Sequence, residues 1–190
     1  NNTYMLAWTT TAWTLIGNVA LAVNSKIDYV KVKMGDEFLI LAKDRLEVVK
    51  GAEVLDEFKG KDLLGKEYEP LYKIRSDKKC HYVIDGGEEV NTSEGTGIVH
   101  IAVYGEFDYE MIKKYDLPMI QHISKDGTLE LGPDEWIGLW FKKVDDKVLG
   151  NLKKRGLLFE VKNYTHSYPF CYRCDTPLIY NALDSWFVDI

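Results

Sequence analysis

The chain has 190 residues, with 30 acidic side chains against 24 Lys and Arg and a net charge of -6. That length is ample for one core, and the acidic balance excludes a domain that grips nucleic acid by general electrostatics, which Lys and Arg would have to carry. No apolar run approaches the ~20 residues of a membrane helix, and three cysteines, two of them as Cys171-x-x-Cys174, do not make a secreted disulfide framework. A reducing cytoplasm and no membrane contact are therefore expected. The sequence opens at Asn1 without Met or an apolar leader and stops at Ile190 inside the strand-like SWFVDI, so it reads as a segment of a longer polypeptide.

Leu6 to Asn18, LAWTTTAWTLIGN, is the most unusual stretch. Trp8, Thr9, Thr10, Thr11, Trp13 and Thr14 crowd hydroxyls and indoles together before Gly17 and Asn18 close the run. Thr and Trp suit pleated surfaces, so the stretch reads as a strand running into a turn or short helix. Its hydroxyls, each both donor and acceptor, could line a wall for ribose or ester oxygens; a half-buried strand with Thr on its wet face fits the composition equally well. VALAVN and DYVKVKMGDEFLILAK then alternate apolar and polar residues around Gly35-Asp36, the pattern of a β-hairpin. Leu46, Val49, Val54, Leu55 and Phe58 fall at roughly helical spacing and predict a short helix ending near Gly60, weakened by Gly51. Gly60 to Tyr72 reads as a loop reaching a strand. Lys73 to Val90 is polar, with a turn at Asp85-Gly86-Gly87; the adjacent Cys80 and His81 lack partners for a metal site.

Glu94 to Tyr109, EGTGIVHIAVYGEFDY, is the second unusual stretch. Gly95 and Gly97 bracket Thr96 as a place of close backbone approach, and Ile98 to Val103 is a short buried-type strand interrupted by His100. A helix from Glu106 to Tyr115 follows, with Asp108 in its first turn, where the helix dipole favours an acid whether or not it does chemistry. From the residues alone His100 fits a satisfied core histidine and Asp108 a capping acid. Asp126-Gly127 marks a turn, Pro133 to Trp140 carries two indoles for core or interface, and Asp145 to Gly156 predicts a helix with Lys153, Lys154 and Arg155 in its last turn and Gly156 as C-cap. There is no internal repeat, P-loop or dinucleotide fingerprint.

Taken together, WTTTAWTLIGNVALAVN, GKDLLGKEYEPLY, EGTGIVHIA with the following GEFDY, KKRGLLF, and THSYPFCYRCDTPLIYNALDSWF resemble, in order, the inserted editing domain of isoleucyl-tRNA synthetase, a class I aminoacyl-tRNA synthetase. The resemblance implies an α+β, β-rich fold with a barrel-like core and peripheral helices, one domain over residues 1–190, with 165–190 as a CxxC-containing ribbon returning towards the catalytic domain. It also implies hydrolysis of mischarged valyl-tRNA(Ile). One methylene is worth only ~1–3 kcal/mol in an apolar pocket, isoleucine against valine in this family being the known case, so a second and smaller site must clear the valyl product.

The family's threonine run matches Thr9, Thr10 and Thr11, which would contact the terminal adenosine and the ester, with Trp8 and Asn18 in the same motif and Gly97 beside the pocket. His100 matches the histidine that excludes the larger side chain, and Asp108 the aspartate that takes the substrate ammonium. The expected partners are the acceptor end of tRNA(Ile) carrying valine and the rest of the synthetase, the segment itself being a monomer. Ala12, Ile16, Ser25 and Val103 stand where the family usually has proline, and the segment between Ala102 and Gly105 is one residue shorter, which bears on the relative placement of His100 and Asp108. Cys171 and Cys174 have the spacing of half a tetrahedral zinc site, so no metal or other cofactor is expected in this segment; zinc, ATP and Mg2+ would belong to the complete protein. Alternatives are a weakened editing-like domain that only binds the acceptor end, a valyl-tRNA synthetase domain clearing threonyl-tRNA, and a structural zinc-knuckle module.

Overall fold

The computed structural model describes residues 2–186 and 188. Its strands are β1 Thr3–Met5, β2 Ala20–Val23, β3 Asp28–Met34, β4 Glu37–Ala42, β5 Glu53–Lys59, β6 Tyr82–Asp85 and β7 Val99–Ile101, and its helices are α1 Glu106–Lys114 and α2 Phe141–Lys154. They form two small sheets, one in the order β1-β4-β3-β5 and the other β6-β2-β7, so the α+β class holds. The barrel-like core does not: among the described residues no barrel closes, because no continuous ladder joins the two sheets, the pairing between Trp8 and Val99 being an isolated bridge.

The hairpin of β3 and β4 forms as its alternation requires, running from Tyr29 opposite Ala42 to Met34 opposite Glu37. The predicted helix over Leu46 to Phe58 splits. A 3-10 helix covers Lys43–Val49, Gly51 then takes φ +82, and β5 pairs antiparallel with β3. A residue at that φ ends a helix and reverses the chain, which carries Val54 and Phe58 into a sheet edge. The polar stretch after Lys73 hides β6, which lies parallel to β2 from Ala20 opposite Tyr82 to Val23 opposite Asp85.

β2 is the centre of the smaller sheet and is buried throughout, which explains its uninterrupted apolar run. One of its faces packs Ala20 and Ala22 with Ile84, Ile101, Met111 and Ile112; the other packs Leu21 and Val23 with Val83 of β6, with Ile98 just before β7, and with Tyr29 and Ile40 of the larger sheet. A separate cluster of Trp13, Ile16, Trp136, Phe141, Val144, Val148 and Leu152 seats α2 beneath the threonine stretch. No helix among the described residues is long and apolar enough to cross a membrane.

Candidate functional site

The threonine stretch is not a strand. After the Trp8 bridge it turns into a buried 3-10 helix, Ala12–Gly17. Thr9 Oγ1 accepts the Thr11 amide at 3.1 Å, a local turn that Thr hydroxyls favour. The start of this helix is held from far along the chain by Asp145 of α2, whose Oδ1 accepts the Trp13 amide at 2.9 Å. A carboxylate here satisfies an orphan helix donor and faces the positive end of the dipole, although burial pushes its pKa up. His122 holds the same residue from its carbonyl side: fully buried, its Nε2–H donates to the Trp13 carbonyl at 3.1 Å.

β7 delivers His100 opposite Leu21, where it is buried. Thr14 Oγ1 donates to the Thr11 carbonyl at 2.7 Å and lies 3.0 Å from His100 Nε2. A hydroxyl has one proton, and the carbonyl can only accept, so His100 Nε2–H donates to Thr14 and Nδ1 is the bare nitrogen. That Nδ1 is buried without a partner. Desolvation, with nearby His122 adding repulsion, lowers the His100 pKa to about 4, so the ring is neutral at physiological pH.

Asp108 is tied to the segment that follows β7. Tyr104 N–H donates to the Ala102 carbonyl at 2.7 Å, closing a tight turn, while the Ala102 amide donates to Asp108 Oδ1 at 3.0 Å. The carboxylate thus ties the first turn of α1 to the end of β7. Burial raises its pKa to about 6, against the lowering effect of the Ala102 amide.

These parts surround one cavity of about 240 Å3, lined by Trp8, Thr9, Thr10, Thr11, Thr14, Val99, His100, Ala102, Tyr104 and Asp108. It adjoins a much larger groove of about 1870 Å3 that shares Trp8, Thr9, Thr10 and His100 with it. Thr9, Thr10, Thr11, His100, Asp108 and Trp8 therefore come together. Asn18 does not line the cavity; it lines the groove, where its Oδ1 accepts Tyr68 Oη at 2.5 Å and its Nδ2 donates to the Ala20 carbonyl at 2.8 Å. Gly97 lines neither. Its φ of +73 and a Cβ position 2.4 Å from Ala42 Cβ show a residue that lets two backbones touch, and its carbonyl accepts the Tyr29 hydroxyl at 2.6 Å. Sequence reading missed Thr14 and Tyr104 as pocket residues; Thr14 sits in the hydroxyl run itself, and Tyr104 in the shortened segment.

Cys171 and Cys174 lie on a tight turn in which the Asp175 amide donates to the Cys171 carbonyl at 2.9 Å, flanked by a bridge between Phe170 and Pro177. The Thr176 hydroxyl, 3.1 Å from Cys174 Sγ, lowers the Cys174 pKa and favours the thiolate a metal needs. The pair fits half of a tetrahedral site, and among the described residues no group of three or more His, Cys, Asp or Glu completes one.

No family model matches the chain. The fold matches solved leucyl-tRNA synthetase editing domains: GlLeuRS-CP1 at TM-score 0.68 and 17% identity over 83% of both chains, and the P. falciparum cytosolic leucyl-tRNA synthetase editing domain at TM-score 0.61 and 13% identity over 80% of this chain and 77% of that one. The architecture is thus that of an aminoacyl-tRNA synthetase editing domain. In sequence, the chain is 53% identical over 190 residues to the isoleucine–tRNA ligase of Clostridium acetobutylicum, covering 98% of this chain, and 39% identical over 201 residues to that of Sulfolobus acidocaldarius, covering 100%. It spans 18% and 19% of those relatives' lengths. The chain belongs to the isoleucine–tRNA ligase family, and its fold is that of an editing domain.

Proposed function

We propose that this chain hydrolyses the ester of valine wrongly attached to tRNA(Ile), as the editing part of an isoleucine–tRNA ligase. The observation that carries the reading is the convergence of the Thr9–Thr11 run, Thr14, His100 and Asp108 on one cavity of about 240 Å3. Above pH 6 the Asp108 carboxylate is ionised and takes the substrate ammonium in a charge-assisted contact. The neutral His100 brings no cation to repel that ammonium, and its ring, fixed by Thr14, excludes a side chain one methylene larger. The threonine hydroxyls face the ribose and the ester. A water held there, assisted by the free ribose hydroxyl, attacks the carbonyl, so the chain contributes positioning and oxyanion stabilisation rather than a nucleophile.

The single-stranded acceptor end of tRNA enters along the adjoining groove, while aminoacylation with ATP and Mg2+, and the remaining zinc ligands, belong to other parts of the polypeptide, in the cytoplasm. The test is deacylation of valyl- and isoleucyl-tRNA(Ile) by the complete protein and its His100→Ala variant. Wild type should clear the valyl ester alone, and His100→Ala should also destroy the isoleucyl ester. A wild type that binds valyl-tRNA without hydrolysing it would reduce the domain to a binding module.

A further inference from the structure

The cavity has a second rigid wall. The turn closed between Ala102 and Tyr104 places Tyr104 in the cavity lining with Val99, Ala102 and His100. The ring lies edge-on to Trp13, with centroids 4.7 Å apart, and to His122 at 4.9 Å. Its hydroxyl is engaged on three sides. It accepts the amides of His122 at 2.8 Å and Ile123 at 2.9 Å, and it lies 3.2 Å from His122 Nδ1. Because His122 Nε2–H is committed to the Trp13 carbonyl, Nδ1 is the acceptor and receives the phenolic proton. A ring backed by two adjoining aromatic rings and clamped at its far end by its hydroxyl cannot retreat from a side chain pressing on it.

From this geometry we infer that Tyr104 is a size-limiting wall of the amino-acid pocket, braced by its hydroxyl clamp, and that exclusion of isoleucine is shared between Tyr104 and His100. The inference rests on the editing reading above. It gives the shortened segment a function: the same turn that keeps Asp108 beside Ala102 presents the Tyr104 ring to the pocket.

The experiment compares valyl- and isoleucyl-tRNA(Ile) hydrolysis by the complete protein, Tyr104→Ala and Tyr104→Phe, with a thermal midpoint for each. Tyr104→Ala should raise the isoleucyl rate relative to the valyl rate by about tenfold or more, the factor one methylene commands in an apolar pocket. Tyr104→Phe keeps the ring but frees it, and should raise the ratio by a smaller factor. A residue that only supports the fold would lower both rates together and leave their ratio fixed. If wild type clears the valyl ester and neither variant changes the ratio, the wall is refuted and the editing reading stands. Should Tyr104→Ala fail to fold, an unchanged ratio in Tyr104→Phe alone refutes it. A wild type that hydrolyses neither ester overturns the editing reading, and the inference with it.

Discussion

Replacing Asp108 by Asn should make the protein more stable and less active, with opposite pH dependences. The asparagine oxygen can still accept the Ala102 amide, now bonded at 3.0 Å, so the tie between α1 and β7 survives. What disappears is a carboxylate whose pKa burial has raised from 3.8 to about 6. An acid with a raised folded-state pKa binds more protons folded than unfolded between those two values, so stability falls as pH climbs through that window and stays lowered above it. At ~1.36 kcal/mol per pKa unit the charge costs at most about 2–3 kcal/mol above pH 6, less where cavity water reaches its edge. For a chain of this size that is a rise of up to roughly 4–12 °C in thermal midpoint for Asp108→Asn at pH 7.5, vanishing below pH 4. Activity should move the other way. Losing a hydrogen bond to a charged group costs about 1.5–3 kcal/mol, so valyl-tRNA hydrolysis should drop by at least about tenfold. For the wild type, kcat/KM should fall as pH drops below about 6, where the free enzyme's carboxylate takes up its proton. The assays are thermal melts and deacylation across pH 4–8. A variant that clears valyl-tRNA at the wild-type rate refutes the ammonium contact, and an unchanged midpoint at pH 7.5 refutes the buried charge.

Thr14→Val is nearly isosteric but leaves the buried His100 Nε2–H without its acceptor at 3.0 Å, so it should cost about 1–3 kcal/mol and lower the midpoint; a wild-type melt would mean His100 bonds elsewhere. Gly17→Ala would place a Cβ 2.4 Å from His122 Nδ1, and displacing that ring should cost about 1–3 kcal/mol, read in the same melts; no loss would show that His122 has room to move. Chelators should leave the midpoint of the 190-residue chain unchanged, and a chelator-induced transition would show that Cys171 and Cys174 had found further ligands.

Elements with both a clean period and a buried face could be read from the sequence. The hairpin of β3 and β4 is marked by its Gly35-Asp36 turn and by apolar residues that pack on both faces, Tyr29, Ile40 and Ala42 on one and Val30, Val32, Leu39 and Leu41 on the other, and α1 begins at Glu106 as its acidic first turn indicates. β5 could not be read, because all its residues but Phe58 are exposed; an edge strand with little to bury carries no period-2 signal, and its few apolar residues mimic helical spacing. β6 is only Tyr82 to Asp85, too short to stand out of a polar stretch. At the site, residue types and family resemblance marked Thr9 to Thr11, His100 and Asp108, but Thr14 and Tyr104 act through contacts with His100 and His122 that lie far away in sequence. The 3-10 helix at Ala12–Gly17 is likewise set by tertiary partners, not by the β propensity of Thr and Trp.

The bond from the Trp13 amide to Asp145 spans 132 positions of sequence. During synthesis at ~5–20 residues per second, the Trp13 stretch leaves the ribosome roughly 7–26 s before the carboxylate that holds it. Collapse of a nascent chain takes microseconds, so for that whole interval two tryptophans and a row of hydroxyls must settle in provisional packing. The pocket wall is thus completed late in the birth of the domain, and slowing translation just before residue 145 should lengthen the time during which Trp8 and Trp13 are exposed to chaperones or to a neighbouring nascent chain.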